Sequence, residues 1–173
     1  MKINVMNSQI EFNDSRDVIN LAKFSSLRKV IRVAAYVLRF IKNLRSSQRE
    51  TSDFIKPDEV ATATEIILRQ EQYKFYSEEI TTLKTKTQVK RNSKILKLYP
   101  FLDNEILCVG GRCANTDFSD EAKYPRIVPQ KSELARLIIL DAHHSTLHGG
   151  TTQTMLQSVL IFGFRLVGIK FGN

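Results

Sequence analysis

Ser26-Leu27-Arg28-Lys29-Val30-Ile31-Arg32-Val33-Ala34-Ala35-Tyr36-Val37-Leu38-Arg39-Phe40-Ile41-Lys42-Asn43-Leu44 carries apolar residues at steps of three and four. Leu27, Val30, Ile31, Ala34, Val37, Leu38, Ile41 and Leu44 make one stripe, the period of a helix with a single buried face. Ser25 or Ser26 can cap the first free N–H groups, and the pattern predicts a helix to about Arg49. Arg28, Arg32, Arg39 and Lys42 are assigned to the opposite face. They would be either a basic ridge that follows a phosphate backbone or the solvated face that any amphipathic helix needs.

Downstream, Arg45 to Asp53 is polar and reads as a loop. Pro57 suits a first helical turn, where its missing N–H has no partner to lose, and Asp58 and Glu59 complement the helix dipole. A second helix is predicted from about Asp58 to Lys84, burying Val60, Ala63, Ile66, Ile67, Tyr73, Phe75, Tyr76, Ile80 and Leu83. Tyr73, Phe75 and Tyr76 could stack on bases, but inside an apolar stripe such aromatics are usually core. Two amphipathic helices with a short polar connection make an antiparallel pair. Ahead of them, Met1 to Lys23 alternates weakly (Ile3, Val5, Ile10, Phe12) and reads as an extended lead-in. Thr85 to Ser93, with Lys86, Lys90 and Arg91, reads as a solvated loop.

Pro100 is expected to close the Ile95–Leu98 segment. Ile106-Leu107-Cys108-Val109, a Gly110-Gly111 turn and Arg112-Cys113-Ala114 suggest a strand and hairpin, with Ile127-Val128 as a partner strand before Pro129. The expected class is therefore α+β: an antiparallel pair of long helices, a small β-hairpin region and a C-terminal helical segment. Cys108 and Cys113 flank the Gly-Gly turn at a spacing that would just allow a metal knuckle; ordinary strand cysteine and free thiol are the plainer readings.

Ser132 can cap a third helix, with Glu133 in its first turn and Leu134, Leu137, Ile138 and Ala142 leading to His143. Gly149-Gly150 would stop it, and Thr151 or Thr152 would cap another helix carrying Met155, Val159 and Leu160. His143 and His148 are separated by four residues, so two imidazoles can be aimed at one zinc ion from a helix end and the loop beyond it. His144, about 100° round the helix from His143, points elsewhere.

Lys131-Ser132-Glu133-Leu134-Ala135-Arg136-Leu137-Ile138-Ile139, then His143, His148-Gly149-Gly150 and Thr154, resembles the opening of the His-His-Cys-Cys zinc-binding domain of retroelement integrases. Phe24-Ser25-Ser26-Leu27 with Arg32 to Ile41, Pro100-Phe101-Leu102-Asp103, Val109-Gly110-Gly111-Arg112 and Tyr124-Pro125-Arg126-Ile127-Val128-Pro129 are similar, in the same order, to the pol polyprotein of BEL/Pao-type LTR retrotransposons between RNase H and integrase. The resemblance implies four regions: an extended lead-in over 1–23, a helical linker over 24–99, a β-hairpin region over 100–130 and a truncated zinc-binding domain over 131–173. It also implies His143 and His148 as inherited zinc ligands. The chain departs from the family where Phe162-Gly163 stands in place of an aromatic-Trp pair, and it reaches Asn173 before any Cys-X-X-Cys pair. Half of a zinc site is therefore expected, with loose packing after Gly150, because metal-binding free energy in such domains is also folding free energy.

The chain has 173 residues, 42% of them hydrophobic, enough to build a core. A net charge of +8 favours anionic partners, nucleic acid among them. No apolar run approaches the roughly 20 residues needed to cross a bilayer, so no membrane partner is expected. Two cysteines do not make a secreted disulfide scaffold. The expected location is intracellular, cytoplasmic or nuclear. Asp103, Asp117, Asp120 and Asp141 lack the spacing of a two-metal site, and Ser145 beside His144 lacks an oxyanion setting, so no catalysis is expected. The expected function is a non-catalytic retrotransposon-derived polyprotein fragment whose retained role would be weak nucleic-acid binding through the basic surface or self-association through the helical pair. The alternatives are a host-retained protein-interaction module and a degenerate reading frame.

Overall fold

The computed structural model describes residues 19–46, 49–85, 87–110 and 124–145, together with the backbone of a strand at 164–167. Helix α1 spans Leu27–Arg45 and α2 spans Pro57–Lys84. Strands β1 (Pro100–Asp103), β2 (Ile106–Val109) and β3 (Arg126–Pro129) follow, then α3 (Glu133–Ser145) and β4 (Phe164–Val167). The class is α+β, with the two long helices packed antiparallel: Arg39 late in α1 meets Glu59 early in α2, while Ile19 ahead of α1 bonds to Gln70 midway along α2.

The strand order is β1-β2-β3-β4. The first three run antiparallel, and β4 lies parallel to β3 with Arg126 opposite Phe164. The described hairpin, β1–β2, is one that was not expected. Its turn is Asn104-Glu105, between the paired residues Asp103 and Ile106, and Pro100 opens a strand where it was expected to end a segment. Asn104 and Glu105 both have positive φ (46° and 66°), the geometry of a two-residue turn whose twist matches its strands. Pro100 is tolerated because a strand's first residue can do without its N–H. The predicted return strand at Arg112–Ala114 lies outside the described residues, as do Gly111 and Cys113.

Side chains alternate across the sheet, so both faces are covered. Ile106, Cys108 and Val128 bury with Leu27, Val30, Ile31 and Ala34 of α1, Ala63, Ile67 and Leu68 of α2, and Leu134, Leu137 and Ile138 of α3. Leu107 and Ile127 bury on the other side with Ile80 and Ile95, flanked by Tyr73, Tyr76 and Leu83. α2 serves both clusters, its first half one and its second half the other, and its backbone leaves helical geometry at Tyr76 (φ −133°, ψ 30°).

Gln72 lies between these halves with no solvent exposure. Its Nε2 donates to the carbonyls of Leu107 (2.9 Å) and Ile127 (2.7 Å), and its Oε1 accepts from the Leu107 N–H (2.7 Å). The β2–β3 ladder is paired only at Cys108 and Arg126, and the Gln72 amide satisfies the backbone beside that pair.

α1 ends four residues earlier than expected, at Arg45, because Asn43 turns back to bond both the N–H and the carbonyl of Glu50 (2.9 Å each). α3 begins as predicted, with Ser132 Oγ accepting from the Ala135 N–H at 3.0 Å. Val60 and Phe75, expected in the core, are exposed, as are Val37 and Leu44 on α1. α1 buries Leu27 to Ala35 on one side, with Leu38 packed partly and Arg39 inward beyond them, and its last two turns leave Phe40 and Leu44 exposed.

Candidate functional site

The third helix brings His143 to its last turn, half-buried, with the His144 ring 6.4 Å away and tilted by 56°. Two residues earlier, Asp141 Oδ1 lies 3.8 Å from Arg28 Nε, which joins this end of α3 to the start of α1. His148, Gly149, Gly150 and Thr154 lie outside the described residues, so the structure places one of the two predicted zinc ligands. Among the described residues no three His, Cys, Asp or Glu side chains gather as a metal site. The Cys108 thiol is buried in β2, and burial pushes its pKa up to about 11, which lowers its reactivity toward electrophiles; Cys113, beyond Gly110-Gly111, lies outside the described residues.

The four basic residues expected to form one ridge separate into three settings. Arg28 and Arg32 are exposed in the first turns of α1, where Lys29 joins them. Arg39 turns inward and is only 8% exposed, which corrects its assignment to the outer face. Its Nε donates to Glu59 Oε1 (2.8 Å), Nη1 to the Ser52 carbonyl (2.6 Å), and Nη2 to the Phe54 carbonyl (2.6 Å) and Glu59 Oε2 (2.5 Å). A planar guanidinium satisfies a carboxylate and two carbonyls at once, and so one side chain ties α1 to Ser52 and Phe54 of the connection and to the first turn of α2. Glu59 also accepts from the Lys56 N–H at 2.8 Å. Its carboxyl is held down to a pKa of about 2, first by the Arg39 hydrogen bond. Lys56 and Glu50 form a further ion pair across the same loop.

Lys42 stands apart from both, at the rim of a cleft of about 500 Å³ between the last turns of α1 and the first of α2. Ala35, Leu38 and Ile41 form the apolar wall; Arg45 shares the rim, and Asp58 and Thr62 face them from α2. Outside the cleft, Val33, Tyr36, Val37, Phe40 and Leu44 follow one another along the solvent side of α1, with Phe40 at 63% and Leu44 at 70% exposure. Neither the cleft nor this outer stripe was anticipated. A signal existed: α1 has more apolar residues than one face of a helix can hold, and it carries six cations and no acid.

Comparison with known proteins finds no family model, no curated protein and no solved structure that matches the chain.

Proposed function

We propose that the chain is the connector between RNase H and integrase of a BEL/Pao-type pol polyprotein, together with the first half of the integrase zinc-binding domain. It acts as a non-catalytic scaffold that holds nucleic acid weakly. Support for the source is that the resembling segments keep the family's order from about residue 24 to residue 157. The observation that carries the binding role is the placement of Arg28, Lys29 and Arg32 in solvent at the end of α1 that meets α3, where Arg28 approaches Asp141 two residues ahead of His143. Phosphates would then meet exposed cations beside the inherited zinc end of α3. Zinc, in this reading, is held through His143 and His148. Among the described residues no helix is long and apolar enough to cross a membrane.

Titration of labelled duplex DNA at two salt concentrations tests the binding role. Affinity should fall steeply with salt, and Arg28→Ala with Arg32→Ala should flatten the log–log slope by about 2, since each phosphate contact contributes about 0.9. Absence of binding at both salt concentrations removes the reading. Metal analysis of wild type and His143→Ala tests zinc separately: the variant should hold less. A second reading, a protein-interaction module, is favoured by the exposed apolar residues of α1 and the cleft beside them.

A further inference from the structure

We propose that the cleft between the last turns of α1 and the first turn of α2 is a docking groove for an amphipathic helix of a partner protein, one that carries carboxylates along one edge. The proposal deepens the protein-interaction reading and does not depend on nucleic-acid binding, which uses the other end of α1. The groove has the volume of an ordinary binding pocket, about 500 Å³, and an apolar wall made by the half-buried Leu38 and Ile41 over the core residue Ala35. Such a wall takes side chains at positions i, i+3, i+4 and i+7 of an incoming helix.

Charge selects the occupant. Lys42 and Arg45 stand exposed at the rim with no ion-pair partner among the described residues, whereas Arg39 below them is already committed to Glu59. Carboxylates on one edge of the partner helix would meet those two cations. A second copy laying its own α1 along this groove is disfavoured, because α1 contains six cations and no acid, and α1 against α1 would set like charges together. A phosphate surface, whether nucleic acid or lipid, would span the cleft and meet the Asp58 carboxylate on the opposite wall, whereas a helix with carboxylates along one edge only keeps them on the Lys42 and Arg45 side. Phe40 and Leu44, exposed on the same two turns of α1, extend the apolar area that a helix laid along the rim would cover.

The test uses the whole chain and two synthetic helical peptides with the same leucine pattern, one bearing glutamates along an edge and one bearing lysines there. Fluorescence anisotropy should show the glutamate peptide binding about ten-fold or more tighter than the lysine peptide. Ile41→Asp, and separately Lys42→Glu with Arg45→Glu, should each lower that affinity by about ten-fold while the circular-dichroism spectrum at the assay temperature stays that of the folded chain. Arg28→Ala with Arg32→Ala should leave it unaltered, which separates failure here from failure of the nucleic-acid reading. Equal binding of the two peptides, binding of neither, or indifference to the charge reversal would overturn the proposal. So would displacement of the glutamate peptide by duplex DNA or phosphatidylglycerol vesicles, or a dimer in sedimentation that Ile41→Asp dissolves.

Discussion

Arg39 makes four hydrogen bonds from one buried guanidinium, and the carboxylate it holds responds to pH in a definite direction. Glu59 is lowered from an ordinary 4.5 to about 2, so the unfolded chain takes up its proton first as the solution is acidified. The stability that this pairing contributes is complete above pH 4.5 and is lost as pH falls toward about 2. Urea midpoints measured across that window should decline in the wild type and decline less in Glu59→Gln. Arg39→Ala should lower the melting temperature by about 5 °C or more, because Glu59 and the carbonyls of Ser52 and Phe54 all lose a donor. Gln72 offers a second test of buried pairing. Gln72→Leu keeps the bulk but strips hydrogen bonds from Leu107 and Ile127, and urea denaturation should show a loss of about 3 kcal/mol. At Cys108, whose thiol is pushed up to about 11, iodoacetamide at mild alkaline pH should label the unfolded chain and spare the folded one, read by mass spectrometry of the Cys108 peptide.

Among the elements, the β1–β2 hairpin holds its least comfortable residue at Glu105. A non-glycine side chain at φ 66° is strained, and the Lys84 ion pair (2.6 Å) holds Glu105 there. In a Lys84→Ala background, where no pair remains to be lost, Glu105→Gly should stabilise the protein by about 1 kcal/mol in urea denaturation. Helix α1 presents the opposite situation, an element under-covered rather than strained. Its first half buries Leu27, Val30, Ile31 and Ala34, while its second half leaves Phe40 and Leu44 in water. Phe40→Ser should therefore leave stability within about 0.5 kcal/mol of wild type, as surface changes do, despite removing a large aromatic.

At the scale of the whole molecule, α3 belongs to the same core as the long helices: Leu134, Leu137 and Ile138 have 2% exposure or less and pack with α1, α2 and the sheet. Apolar burial of this kind stabilises the described fold. Adding a chelator should leave the main thermal transition within about 1 °C of its position in zinc; a collapse of that transition would show that metal and fold are coupled after all. How much was legible beforehand follows from the range of each interaction. Periodicity, capping residues and turn chemistry are local, so the chain by itself determined the α+β class, α2 almost to its ends, the strand at Ile127-Val128 and the Ser132 cap. The tertiary structure alone decided which cation turns inward, because Arg39 and Lys42 look alike in a helical pattern until the loop carrying Ser52 and Phe54 folds over one of them. It alone brought the Gln72 side chain from α2 onto the sheet backbone at Leu107 and Ile127. Those outcomes depend on groups 13 to 55 residues apart in sequence meeting in space, and no local pattern records such meetings.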